Sequence, residues 1–262
     1  MARRPNLYQA AAWKNPVAQG VSDTWFVELH GYAKRSSAEL PYSVPNEYVA
    51  SRIGQVLGLP VPPGAVIETP IEEQGKAWLT LNFAPKTELL PPIDPAITVA
   101  AVPDLAAGVV AFDLFIANTD RHVGNLAFLP SQKRLDIFDH GHALLGIRLG
   151  RVQNRLDELR GQTGLSGAAV DGIPSNRHCL IDHITSATTL IGWSEEIQRI
   201  VGDRFLGRVC EEAAALDAGA SPEEMMRAEQ FLGERRDSLK RILFDHRTEF
   251  TRIEEDDWGM EL

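Results

Sequence analysis

Residues 112–145, FDLFIANTDRHVGNLAFLPSQKRLDIFDHGHALL, set two polar clusters at the ends of hydrophobic elements. An apolar run that reads as the end of a helix passes into Asn118-Thr119-Asp120-Arg121-His122-Val123-Gly124-Asn125. Two short apolar stretches, 126–129 and 135–138, are joined by Pro130-Ser131-Gln132-Lys133 and predict a hairpin. The second ends on Asp139, followed by His140-Gly141-His142. Pairing of the two strands brings Asn125 and Asp139 side by side at one end. An amide oxygen beside a carboxylate forms an oxygen-rich site for Mg²⁺, which keeps waters and takes further ligands from substrate phosphates. Asp120 lies outside that pair and is placed to orient or deprotonate an attacking hydroxyl. Gly141 permits a sharp turn after Asp139.

The chain before this stretch reads as a small sheet carrying one helix. Residues 8–22 are mixed in character, and residues 25–30 alternate in the period-2 pattern of a strand. Gly20-Val21-Ser22-Asp23 is either a plain hairpin turn or a turn whose amides face phosphates. Lys34-Arg35-Ser36-Ser37 is expected as a polar loop. Pro45-Asn46 opens a helix with Val49, Ile53, Val56 and Leu57 on one face, ended by Gly58 and Pro60. Glu47 falls in its first turn, off that stripe, where a carboxylate favours the helix dipole. Strands follow at 65–68 and 77–81, and the proline-rich run 82–95 connects to a helical remainder.

There, Pro103-Asp104 begins a helix with Leu105, Val109, Phe112 and Ile116 at core spacing. Residues 146–175 predict a loop with a short helix, and 180–191 and 194–216 predict helices. Ser221-Pro222-Glu223-Glu224 is a capping box opening a long helix. The acidic run 254–257 is expected to be solvated and frayed. The division expected is 1–84 for a small lobe and 85–262 for a helical lobe.

A net charge of −10 argues against broad binding to nucleic acid, which needs basic surface to displace counterions. Two cysteines, Cys179 and Cys210, indicate neither a disulfide framework nor a cysteine zinc site, and point to a reducing cytoplasm. The N-terminal stretch lacks an apolar core of signal-peptide length, and no run approaches the roughly 20 residues of a membrane helix. A cytoplasmic protein without a membrane segment is expected.

Asp120-Arg121-His122-Val123-Gly124-Asn125, followed by Asp139-His140-Gly141, resembles the catalytic and metal loops of the HipA-like kinases. It is also similar to the phosphoinositide-kinase branch of the protein-kinase-like superfamily. Pro45-Asn46-Glu47, opening a helix that ends Leu57-Gly58-Leu59-Pro60-Val61-Pro62, is similar to the small-lobe helix of the same group. The resemblance implies an α+β, two-lobed protein-kinase-like fold with a sheet-plus-helix small lobe and a mainly helical large lobe. It implies ATP and Mg²⁺ in the cleft, and transfer of the γ-phosphoryl group to a hydroxyl acceptor, protein Ser/Thr or a small molecule. It also implies a possible antitoxin-like protein partner. Asp120 would be the catalytic base, Asn125 and Asp139 the magnesium ligands, and Gly20 part of the phosphate-facing turn. Glu47 would pair with a phosphate-binding lysine.

That lysine is where the pattern departs. On the strand 25–29 the aligned position holds Glu28, and the nearest downstream cations are Lys34 and Arg35. Either Lys34 or Arg35 reaches the cleft and pairs with Glu28 or Glu47, or the strand alignment is shifted, or the cation is lost. In the last case the protein would be a nucleotide-binding pseudokinase acting as an interaction module. A second alternative is a metal hydrolase using His122, His140 and His142 with Asp120 and Asp139, although it leaves Asn125 and the glutamate helix without a role. His122 alone reads as a loop-holding imidazole, and His178 and His183 as incidental. No Gly-x-Ser-x-Gly elbow supports a serine hydrolase.

Overall fold

The organising element is a helix that is apolar on every side. α3 (Pro103–Phe115) buries ten consecutive residues from Ala106 to Phe115, as expected of a helix with protein all around it. Gly108 fits this setting: a Cβ there would stand 2.5 Å from Trp193 Cε2, so only glycine lets that indole lie against the helix. The computed structural model describes residues 10–16, 25–69, 75–82 and 91–259. Gly20 and its turn, and residues 83–90 of the expected connection, lie outside these described residues.

The fold is mixed α+β, with small antiparallel sheets in the first third and a mostly helical remainder. β1 (Ala10–Pro16) pairs with β2 (Trp25–Leu29), so part of the stretch expected to be mixed is a strand. β3 (Gly31–Arg35), β4 (Gly64–Glu68) and β5 (Lys76–Leu81) form a second sheet in the order β3-β5-β4. Lys34 and Arg35 therefore stand on a strand, opposite Trp78 and Ala77, and the expected polar loop begins only after them. α1 (Ser43–Val56) packs against this sheet through Tyr48, edge-on to Trp78 of β5, and turns Val49, Ala50 and Ile53 into the main hydrophobic core.

After α2 (Pro95–Ala101) and α3, the expected hairpin forms from β6 (Leu126–Leu129) and β7 (Arg134–Ile137). Four helices complete the chain: α4 (Val152–Leu159), α5 (Ala187–Ile200), α6 (Asp203–Ala215) and α7 (Pro222–Asp245). The break between α5 and α6 falls at Val201-Gly202, not near residue 193, because Trp193 stays helical to pack on α3 and donate its indole N–H to the Asp104 carbonyl (2.9 Å). The capping box at Ser221 and Glu224 is formed. The acidic stretch near the end is a short 3₁₀ turn that buries Trp258 against Phe250. The indole anchors what was expected to be frayed. Among the described residues no single helix is long and apolar enough to cross a membrane.

The helical part also grips α1. Tyr48 donates to Glu212 Oε2 (2.6 Å) on α6. Tyr42, fully buried, donates to Glu224 of the α7 capping box and accepts from the Gly150 amide. Ser36 Oγ donates to the Ala218 carbonyl (3.0 Å).

Arg235 on α7 sits at the centre of the helical part. It is 1% exposed, and its guanidinium donates to the carbonyls of Leu114, Leu159, Gln162 and Thr163. It thus satisfies acceptors at the C-terminal ends of α3 and α4, where a helix has no internal donors left. Burial pushes its pKa down to about 9, with the neighbouring Arg155 charge acting in the same direction. Replacing it by leucine removes the donor to the Gln162 and Thr163 carbonyls and one of two donors to those of Leu114 and Leu159, which also accept from the Ala117 and Gln162 amides. Urea denaturation of Arg235→Leu is expected to lose roughly 3–5 kcal/mol. Arg199→Ala, an exposed arginine paired with Glu196 on the same helix, is expected to lose far less. Equal losses in the two would contradict this assignment.

Candidate active site

The site is assembled on one buried ion pair. Asp113, near the end of α3, and Arg121, in the following loop, are both fully buried. Arg121 Nε donates to Asp113 Oδ2 (2.7 Å) and Nη2 to Oδ1 (3.0 Å). Its remaining nitrogen, Nη1, donates to the carbonyls of Asn125 (2.8 Å) and Phe138 (2.6 Å). One guanidinium thereby joins the helix, the loop and both strands of the hairpin at their site end. Asn118 Nδ2 also donates to Asp113 Oδ1 (2.9 Å), and His178 Nε2 lies 3.1 Å from Oδ2. Burial alone would raise the Asp113 pKa, but Arg121 and His178 outweigh it and hold the carboxyl far below its ordinary range. His178, expected to be incidental, is buried and part of this network.

Asn125 and Asp139 stand at the same end of the hairpin, where the Phe138 amide donates to the Asn125 carbonyl (3.3 Å). Asn125 Nδ2 donates to the Asp120 carbonyl (2.9 Å). With its nitrogen committed there, the amide has Oδ1 left to face a cation. Asp139 has φ +61°, a left-handed conformation uncommon outside glycine and concentrated at functional sites. The donor set of one amide oxygen and one carboxylate suits a hard, oxygen-seeking cation.

The small sheet delivers a cation to the same place. Lys34 Nζ lies 2.9 Å from Glu47 Oε1 and 2.7 Å from Asp139 Oδ1. Glu28 lies one strand earlier, on β2, and the cation in contact with Glu47 is Lys34. Burial tends to lower the Lys34 pKa, but Glu47 and Asp139 outweigh it and raise it.

Glu47 is 3% exposed and turned into the protein. Its other oxygen lies 3.2 Å from His140 Nδ1, so its role is not the local dipole interaction expected from its place in the helix. His140 is buried with its ring edge on Phe112. Beside Glu47, Asn46 Nδ2 donates to the carbonyls of Gly141 (2.8 Å) and Gly146 (3.2 Å), and its Oδ1 accepts from the Leu145 amide. The start of α1 is thus bolted to the loop that carries Asp139. Farther along that loop, Arg155 donates to the carbonyls of Leu144, Ala117 and His142.

The three histidines of the hydrolase alternative are spread apart in function. His122 Nδ1 accepts from the Gly124 amide (3.0 Å) and holds the loop. His140 faces Glu47, and His142 Nδ1 lies 3.9 Å from Asp120 Oδ2. Among the described residues no three His, Cys, Asp or Glu side chains converge into a metal-holding group.

Of the residues expected from sequence, Lys34 contacts both Glu47 and Asp139, while Asn125 is bonded to the Asp120 carbonyl and to the Phe138 amide beside Asp139. Asp113 and Arg155 were not singled out from sequence, and the roles seen for Arg121, Asn46 and His140 were not anticipated, His140 having been read only as a ligand of the hydrolase alternative. The one advance signal was Asp113 itself, an acid inside an otherwise apolar helix, which requires a buried partner.

No protein-family model matches the chain, and no curated protein matches it in sequence. Among solved structures it is similar to the proinflammatory kinase CtkA of Helicobacter pylori, with a TM-score of 0.52 and 16% identity over 95% of this chain and 96% of that one. HipA from the Shewanella oneidensis MR-1 toxin–antitoxin complex with HipB and operator DNA aligns over 99% of this chain and 69% of its own. Its TM-score is 0.42 and its identity 11%, too loose a likeness to add to the fold assignment. The chain has the kinase-like α+β fold seen in CtkA.

Glu47 gives the site a measurable pH signature. Burial alone would raise its pKa, but the His140 hydrogen bond and the Lys34 charge hold it at about 2, below the ordinary 4.5. A depressed carboxyl contributes stability that is full above its unfolded pKa and is lost as pH falls through the folded one. Between about pH 5 and 2, the stability of Glu47→Gln is therefore expected to fall by roughly 3 kcal/mol less than that of the wild type, read from urea melts across pH. Parallel pH curves for the two proteins would contradict this.

Proposed function

We propose that this protein is an ATP- and Mg²⁺-dependent phosphotransferase of the HipA-like kind, transferring the γ-phosphoryl group to a hydroxyl, with protein Ser/Thr as the acceptor class. The observation that carries the reading is Lys34 held between Glu47 and Asp139. Lysine, helix glutamate and metal-loop aspartate from three separate elements form the constellation a kinase uses to position nucleotide phosphates. The pseudokinase alternative depended on a missing cation, and the contact of Lys34 with Glu47 and Asp139 favours the active reading over it.

The roles follow from the chemistry of each group. Lys34 supplies positive charge to the nucleotide phosphates, and Glu47, fixed by His140, holds the ammonium in place. Asn125 Oδ1 and Asp139 would hold magnesium, which supplies charge neutralisation on the phosphates. Asp120 accepts the proton of the attacking hydroxyl as the new O–P bond forms and the bond to the ADP oxygen breaks. Because phosphoryl transfer asks little covalent chemistry of the protein, rate comes mainly from positioning and electrostatics. The rigid backing of Asp113, Arg121 and Asn46 suits that demand. An antitoxin-like partner and a cytoplasmic setting accompany the reading as expectations of the HipA-like group.

The expected result is a rise in melting temperature with ATP and Mg²⁺ together, removed in Asn125→Ala and Asp139→Ala. Asp120→Ala should keep the shift while transfer of labelled γ-phosphate falls by about 10²–10⁴. A nucleotide shift that survives both metal-ligand substitutions would refute the assigned magnesium site, and full transfer by Asp120→Ala would remove that residue from its role.

A further inference from the structure

Asp120 is met by a side chain from far along the chain. Asn176 donates Nδ2–H to Asp120 Oδ1 (2.5 Å), and its backbone amide donates to the Thr119 carbonyl (3.1 Å). Three residues on, the Cys179 amide donates to the Arg121 carbonyl (2.9 Å). Residues 176–179 thus run alongside 119–121, with a backbone hydrogen bond on either side of Asp120. The strap is pinned from behind. His178 contacts Asp113, the His178 amide donates to the Leu165 carbonyl (2.9 Å), and Arg177 reaches Asp182 and the Glu249 carbonyl. Asn176 itself is exposed, so it meets Asp120 from the solvent-facing side, where an acceptor must approach.

The two oxygens of Asp120 are therefore not equivalent. Oδ1 is engaged by the Asn176 amide, whereas Oδ2 has His142 Nδ1 at 3.9 Å, beyond hydrogen-bond range. A neutral amide suits this position: it fixes the carboxylate rotamer without placing a formal positive charge against a base. We infer that Asn176 is a positioning residue for Asp120, engaging Oδ1 so that Oδ2 faces the acceptor hydroxyl. The inference rests on the kinase reading above.

The test is initial-rate kinetics of the full chain with Mg·[γ-³²P]ATP, using dephosphorylated casein and the protein itself as acceptors. Wild type, Asn176→Ala, Asn176→Asp and Asp120→Ala are compared, and their melting temperatures verify folding. Asn176→Ala is expected to lose roughly tenfold to a hundredfold in kcat, the scale of a misplaced reacting group. Its KM for ATP should stay within about twofold. Asn176→Asp matches the native shape but has no donor and sets a second carboxylate against Asp120, so it should be slower than the alanine variant. A purely structural role would give the opposite order. The inference is overturned by Asn176→Ala at wild-type kcat, by a loss confined to KM for ATP, or by Asn176→Asp outperforming Asn176→Ala, provided Asp120→Ala is inactive. If Asp120→Ala transfers at the wild-type rate, or the wild type transfers to neither acceptor, the kinase reading fails and the inference fails with it.

Discussion

The Asp113–Arg121 pair is the interaction on which the rest of the structure depends. Two buried charges cost several kcal/mol each to desolvate and are tolerated only when geometry and hydrogen bonding compensate. Here the carboxylate faces Arg121, Asn118 and His178, and the guanidinium adds two carbonyls of the hairpin. The compensation is therefore spread over α3, the loop that carries Asp120 and Asn125, and the end of the hairpin beside Asp139. Loss of any partner would loosen the helix, the Asp120 loop and the hairpin together, which is how a deep, expensive pair comes to define the geometry of a surface site.

A second chain of contacts links the small sheet to this frame. Lys34 meets Glu47, Glu47 meets His140, and Asn46 spans the backbone of the loop around Gly141. Behind α1, Tyr42 and Tyr48 hold it to the C-terminal helices through Glu224 and Glu212. The glutamate helix is thus gripped on both sides. Asp139, in its left-handed conformation, is the point where the two chains of contacts converge.

How much of this could be read from residues alone follows from distance along the chain. The hairpin, the Asn125–Asp139 juxtaposition and the Ser221 capping box are local patterns, in which strand alternation, a turn or a cap resolves the structure within about twenty residues. Lys34 was not legible as a strand residue because β3 is short and largely exposed, so it lacks the alternation that marks a half-buried strand, and its pairing partner β5 lies more than forty residues on. Glu47 looked like a dipole partner because its real partners come from residues 34 and 140. His178 and Asn176 carry no local pattern, and their significance arises only when a loop 56 to 65 residues downstream returns to α3 and the Asp120 loop. Asp113 was the exception, since an acid in an apolar helix advertises a buried partner without naming it.

The most direct test of the account is a crystal structure of the protein with Mg²⁺ and a non-hydrolysable ATP analogue. The account predicts Lys34 Nζ on the nucleotide phosphates while still paired with Glu47, and a magnesium ion bound by Asn125 Oδ1 and Asp139. Nucleotide bound away from Lys34, or metal held by the histidines in place of Asn125, would contradict it.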